Sequence, residues 1–197
     1  MKTTQRISII ASLLLLAAPS LYADPLSFIV VPEQSEVTFL SVAPLESFTG
    51  TTNQLSGTMK LDPADLATGI SGQLTVNMAD LSTGSAIRDD HMRKNHLQTE
   101  RYPESQFTPK FLKSGPDSLV ADVSQSFILG GIFTLHGVSK QILVDVEAIW
   151  HPTTSSIEVT AKFPVRLADY NISRPQFLTM KLGEVQQVTV TFSATSR

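Results

Sequence analysis

The chain has 197 residues, 42% apolar and 17% charged, with 15 basic against 18 acidic side chains and a net charge of −3. An acidic balance without a basic cluster gives no footprint for nucleic acid and no grip on an anionic membrane surface. The sequence has no cysteine, which rules out a disulfide framework and thiol chemistry.

Residues 1–23, MKTTQRISIIASLLLLAAPSLYA, join Lys2 and Arg6 to an apolar run from Ile7 to Ala18, followed by Pro19 and the small Ala23. That is the layout of a secretory signal peptide, and the run is too short to serve as a permanent bilayer anchor. We therefore expect cleavage after Ala23, one domain over 24–197, and residence in an export compartment, with the bacterial periplasm fitting best.

From there the chain alternates. Val37, Phe39 and Ser41 fall on one side of SEVTFLSV, and Leu55, Gly57, Met59 and Leu61 on one side of the next run. Ile70, Gly72, Leu74, Val76 and Met78 repeat the pattern. So do Ile142, Val144, Val146, Ala148 and Trp150, then Ile157 to Leu167, then Val188, Val190 and Phe192. A period of two marks strands with one covered face and one wet face. Asp62 to Asp65, Gly115-Pro116-Asp117, Gly130-Gly131, His136-Gly137 and Pro152 to Ser156 supply turn formers between them. Strands joined by short turns predict an antiparallel meander. Their length favours closure into an all-β barrel of about eight strands, because an open sheet would leave long edges. On the covered face, Gly57 and Gly72 beside Met59 and Met78 leave two readings open: a cavity for a flexible apolar guest, or a packed core with glycines relieving strand curvature.

One stretch breaks the alternation: STGSAIRDDHMRKNHLQ, Ser82 to Gln98. Asp89 and Asp90 precede Arg93 and Lys94 by four residues, the favourable order for ion pairs on a helix starting near Ser85. Ile87, Met92 and Leu97 are expected to anchor it. His91 and His96 stand five apart, about 140° around an α-helix, so they do not share a face. With no third ligand near them the stretch lacks metal-site spacing, and no nucleophile motif appears in the chain. His136 and His151 read as turn or surface residues, and Trp150 and Tyr170 as core or rim.

These same residues resemble the YceI-like family. The resemblance rests on Thr83-Gly84, Arg88-Asp89 with His91, Tyr102-Pro103 and Phe107, then on Leu135 to Lys140 in GGIFTLHGVSKQILVDV, and on Asp169-Tyr170 closing FPVRLADYNI. Together with FIVVPEQSEVTF it covers nearly all of 24–197. It implies a lipocalin-like, elongated antiparallel barrel with one short helix between strands. It also implies a long apolar tunnel for polyisoprenoids, isoprenoid quinones or related amphiphiles. Asn171 stands where the family often has glycine, and asparagine tolerates positive φ. Gln141 replaces a common proline, and Leu97-Gln98 stand where aromatics are usual.

The expectation is a periplasmic carrier of a long-chain isoprenoid or acyl lipid, with no catalysis, cofactor or metal. Phe39, Met59, Leu74, Val76, Met78, Val144, Val146, Phe163 and Val165 are the expected tunnel lining, and Arg88, His91 and Arg174 the candidates for the headgroup. Transient contact with a membrane or a membrane protein, and a homodimer, are compatible with that reading. Two rivals stand beside it. One is an interaction protein of the envelope stress response. The other is a hydrolase or isomerase using the Arg88-Asp89-Asp90-His91 cluster.

Overall fold

The structure is a computed structural model and describes residues 24–42, 47–174, 176–177 and 180–196. The expected signal peptide, 1–23, lies outside the described residues. The strands are β1 (Leu26–Val42), β2 (Ser47–Thr52), β3 (Leu55–Leu61), β4 (Ser71–Asn77), β5 (Glu104–Ser114), β6 (Ser124–Leu135), β7 (Val138–His151), β8 (Ser156–Arg166), the short β9 (Gln176–Phe177) and β10 (Met180–Lys181), and β11 (Val185–Ser196). Eight of them form a closed antiparallel ring: β1, β3, β4, β5, β6, β7, β8 and β11, with β11 returning to β1. The first part of β1 pairs with β3, Leu26 opposite Leu61, and its last part pairs with β2, Val42 opposite Ser47. β2 thus extends the wall where β3 has ended.

The alternation places one side chain in two inside the ring. Phe28, Leu55, Met59, Val144, Val146, Ile157, Val165 and Phe192 are all buried there. Phe28 has no exposed surface and meets the Trp150 ring edge-on, with centroids 5.6 Å apart. Two of the register irregularities fall beside prolines. The β1–β11 ladder shifts between Val31 and Ser35, around Pro32, and the β5–β6 ladder between Pro109 and Phe111. Proline has no N–H to give a ladder, so it sits where the ladder is interrupted. At the β1 shift the Ser35 hydroxyl donates to the Pro32 carbonyl at 2.7 Å.

At one end of the barrel the connections β3–β4 and β5–β6 are tied together. Leu66 N–H donates to Asp117 O at 2.8 Å, and Leu119 N–H to Pro63 O at 2.7 Å, with both leucines buried. At the other end lie α1 (Ala86–His91) and the wide π turn that follows it, Met92–Leu97. Asn171 adopts φ 56°, as its place in a glycine-favouring turn requires.

One sequence reading needs correction, and another left open is decided. Gly130-Gly131 is not a turn; it lies inside β6, opposite Leu143 and Ile142. The missing side chains make room for aromatic rings on β5: a Cβ on Gly130 would meet Phe111 Cζ at 2.2 Å, and one on Gly131 would meet Phe107 Cζ at 2.5 Å and Thr108 O at 2.6 Å. Because a backbone oxygen cannot swing away, Gly131→Ala is expected to cost about 1–3 kcal/mol. That cost would read as a lower urea midpoint with an unchanged slope. Gly57 and Gly72, in turn, open no space inside the barrel. They have φ 142° and 129°, and a Cβ on either would strike the facing strand's carbonyl, Gln73 O or Thr58 O, at 2.1 Å. The curvature reading is the one the backbone supports.

Candidate functional site

Two apolar cavities occupy the barrel interior. The larger, about 180 Å³, lies at the helix end. The smaller, about 90 Å³, lies deeper. Val76, Ser105, Phe133, Phe163 and Val190 border both, so the compartments meet at a shared waist. There the rings of Phe133 and Phe163 stand edge to face at 5.1 Å.

The nine residues expected to line a tunnel all border this space. Phe39, Val76, Met78, Phe163 and Val165 border the helix-end cavity, and Met59, Leu74, Val144 and Val146 the deeper one, which Val76 and Phe163 also reach. Met78 arrives there from a tight turn, Met78–Asp80, rather than from the end of β4; the Asn77 side chain caps that turn by accepting the Ala79 N–H at 3.0 Å. Of the three headgroup candidates, Arg88 and His91 border the helix-end cavity. Arg174 borders neither cavity; it is exposed, and its Nε donates to the Leu182 carbonyl. Arg174 thus stands outside the lining itself, bonded to the backbone of Leu182, which does border the helix-end cavity. Trp150 and Tyr170 belong to the core, with Tyr170 edge-on to Phe133 at 5.6 Å.

The charged stretch is built differently from a run of i,i+4 pairs. Lys94 does meet Asp90 at 2.9 Å on the surface. Asp89 instead turns inward, 5% exposed, and accepts from Ser82 Oγ at 2.8 Å, Thr83 N at 2.7 Å and Thr83 Oγ at 2.6 Å. Ser82 is itself bridged to Thr51 of β2 by two backbone hydrogen bonds of 2.8 and 2.9 Å. The carboxylate therefore fastens the helix to the barrel wall. Burial works to raise its pKa, but the Thr83 and Ser82 hydrogen bonds and the Arg93 charge outweigh it, and the net direction is down. Arg93 reaches the carbonyls of Ala79 and Leu81, at 3.4 and 3.2 Å. Ile87, expected as an anchor, is 91% exposed; Met92 and Leu97 do face the cavity.

The π turn overturns the helical-wheel reading of the histidines. A turn closed by i→i+5 bonds sets residues five apart over one another. Thus His91 and His96 come together, with ring centroids 5.1 Å apart, and both border the helix-end cavity. His96 Nδ1 lies 2.9 Å from the Ser173 carbonyl. Burial lowers the His96 pKa; the Ser173 carbonyl opposes that shift and the neighbouring His91 adds to it, so the ring is neutral at pH 7. His136 is a turn residue as expected, but a buried one: it stacks on Tyr102 at 4.4 Å, with Nδ1 3.0 Å from Tyr170 O. Arg88 lies 4.0 Å over the Phe48 ring at the cavity's edge. Among the described residues no group of three or more His, Cys, Asp or Glu is placed to hold a metal ion.

Sequence reading overlooked several wall residues: Phe133, Val188 and Val190, and three polar ones, Ser41, Gln186 and His96. The signal for four of these was present, since Val188 and Val190 already stood in an alternating run. Ser41 follows Val37 and Phe39 on the inward side, and Gln186 precedes Val188 and Val190 on theirs.

A closed antiparallel barrel holding an apolar cavity under a short helix defines a class of small β-barrel proteins with an enclosed interior. Within it, the chain belongs to the YceI-like family, whose domain model matches residues 28–195. It shares its fold with Burkholderia cenocepacia BcnA at TM-score 0.69 and 20% identity, covering 84% of this chain and 99% of that one. The same holds for a polyisoprenoid binding domain from Saccharophagus degradans, at TM-score 0.67 and 16% identity over 88% of this chain and 99% of that one. A curated relative, UPF0312 protein plu2095 of Photorhabdus laumondii, is 30% identical over 105 residues, and the match spans half the length of each chain.

Proposed function

We propose that the protein is a periplasmic carrier that holds a long-chain amphiphilic lipid, a polyisoprenoid, isoprenoid quinone or related molecule, inside its barrel. The observation that carries this reading is the pair of apolar cavities meeting at a common waist, walled by aliphatic, aromatic and thioether side chains. Burying a hydrocarbon chain there contributes about 25 cal/mol per Å² of apolar surface removed from water, which suffices for affinity without any bond being broken. The family membership supports it, as does the likeness to a domain described as binding polyisoprenoid. Residues 1–23 support the compartment.

The test is native mass spectrometry on protein expressed as the full chain and recovered by osmotic shock without denaturant. We expect a mature chain beginning at Asp24 and carrying a lipid of one mass family. Protein that is empty, and that after solvent extraction takes up neither prenyl nor acyl lipids, would contradict the proposal.

A further inference from the structure

Most of the cavity wall is apolar, and the exceptions are informative. Five buried side-chain nitrogen or oxygen atoms among the described residues have no hydrogen-bond partner, and three of them belong to residues bordering the helix-end cavity: Ser41 Oγ, Gln186 Oε1 and His96 Nε2. Ser41 is 1% exposed and Gln186 7%. Buried polar groups in folded proteins are ordinarily paired, because a lone one forfeits its water without return. Three such atoms around one cavity mark a place where a guest supplies the missing partner.

Their chemistry defines that guest. The Gln186 amide is oriented by its nitrogen, which donates to Gly183 O at 2.7 Å, so the oxygen is the end left over. The Nδ1 of His96 faces the Ser173 carbonyl at 2.9 Å, a contact that requires N–H on that nitrogen and leaves a lone pair on Nε2. Ser41 Oγ can donate or accept. Ser41 and Gln186 lie at the same level of the wall, one step beyond the Leu40–Gln187 pair that joins β1 to β11. Two of the three atoms can only accept.

Resting on the carrier reading above, we propose that the helix-end cavity selects a lipid whose head is an uncharged hydroxyl, an alcohol or hydroquinone, whose O–H donates to Gln186 Oε1 and whose oxygen accepts from Ser41 Oγ, with His96 Nε2 left to receive a second O–H of the same head. A phosphate or carboxylate head would set lone pairs against lone pairs at both acceptors, and would have to turn to Arg88 and His91 at the same cavity's border instead. Of the three unpaired atoms, a head with carbonyls alone would find a donor only at Ser41. A site built to bond an O–H rejects the analogue without it, because its own buried groups then stay unpaired.

The experiment titrates solvent-extracted protein with geranylgeraniol, its methyl ether and its monophosphate, following displacement of a fluorescent fatty probe. The alcohol is expected to bind at least tenfold more tightly than the ether. Gln186→Leu is expected to bring the two together and Ser41→Ala to narrow the gap, with unchanged far-ultraviolet spectra confirming that both variants fold. Equal affinity for alcohol and ether, tighter binding of the phosphate, or a gap that survives Gln186→Leu would each overturn the inference and leave the carrier reading standing. If the extracted protein binds neither the probe nor any of the three, the carrier reading fails and this inference fails with it; if the probe binds and none of the three displaces it, this inference alone fails.

Discussion

Asp89→Ala is expected to lower the stability of the fold by about 3 kcal/mol at pH 7, since the change removes a buried carboxylate and strands three donors that met it. For a chain of this size that corresponds to a fall in melting temperature of about 6–12 °C. The lost contacts are those from Ser82 Oγ, Thr83 N and Thr83 Oγ. The pH dependence has a fixed sign. The carboxyl titrates lower in the folded protein than in the unfolded chain, where it stays near the ordinary value of about 3.9. Its contribution is therefore fully present above that value and disappears as pH falls through the lower folded value. Urea midpoints for wild type and variant should run parallel from neutrality to about pH 5 and converge only in stronger acid. Matching midpoints at pH 7 would show that the helix is held to the barrel by other contacts.

Phe163→Ala should change what the barrel can hold. Phe163 and Phe133 cross at the waist between the two cavities, and each borders both. Removing one ring joins the compartments into a longer channel, at a cost of about 3–5 kcal/mol for the lost packing. Wild-type protein is expected to carry shorter chains or a narrower mass distribution than the variant when both are loaded from the same prenyl mixture and weighed intact. Phe163→Leu, which keeps more of the packing, serves as the control for folding. An unchanged distribution in both variants would mean that the rings already step aside for a guest.

The fold was legible because strand geometry turns every second residue to the same side. Once the inward set of β1, β4, β7 and β8 is found, Phe39, Val76, Val146 and Phe163 must face a common space. The break in alternation and the four-residue spacing of Asp89 and Asp90 to Arg93 and Lys94 then located the helix. What the sequence concealed is local backbone detail. No residue between Met92 and Leu97 announces one extra residue per turn, so a 3.6-residue wheel separates His91 from His96 where the chain brings them together. The spacing of Asp89 to Arg93 suits an ion pair, yet hydroxyls and an N–H seven and six residues upstream offer the carboxylate more. Gly130-Gly131 has the composition of a turn, and only the rings of Phe107 and Phe111 on the neighbouring strand explain why it runs straight. Ser41 and Gln186 were visible as inward positions, but their unmet hydrogen bonds are a property of three dimensions alone.

The pairing of β1 with β11 also governs how the molecule comes into being. Phe28 lies opposite Ser196 and Leu40 opposite Gln187, so the final seam joins segments from opposite extremes of the sequence. Such distant contacts form slowly, after a large loss of chain freedom. A chain that emerges head first has to wait for its tail before it can seal, and until that moment its oily inner surface lies open to any lipid nearby.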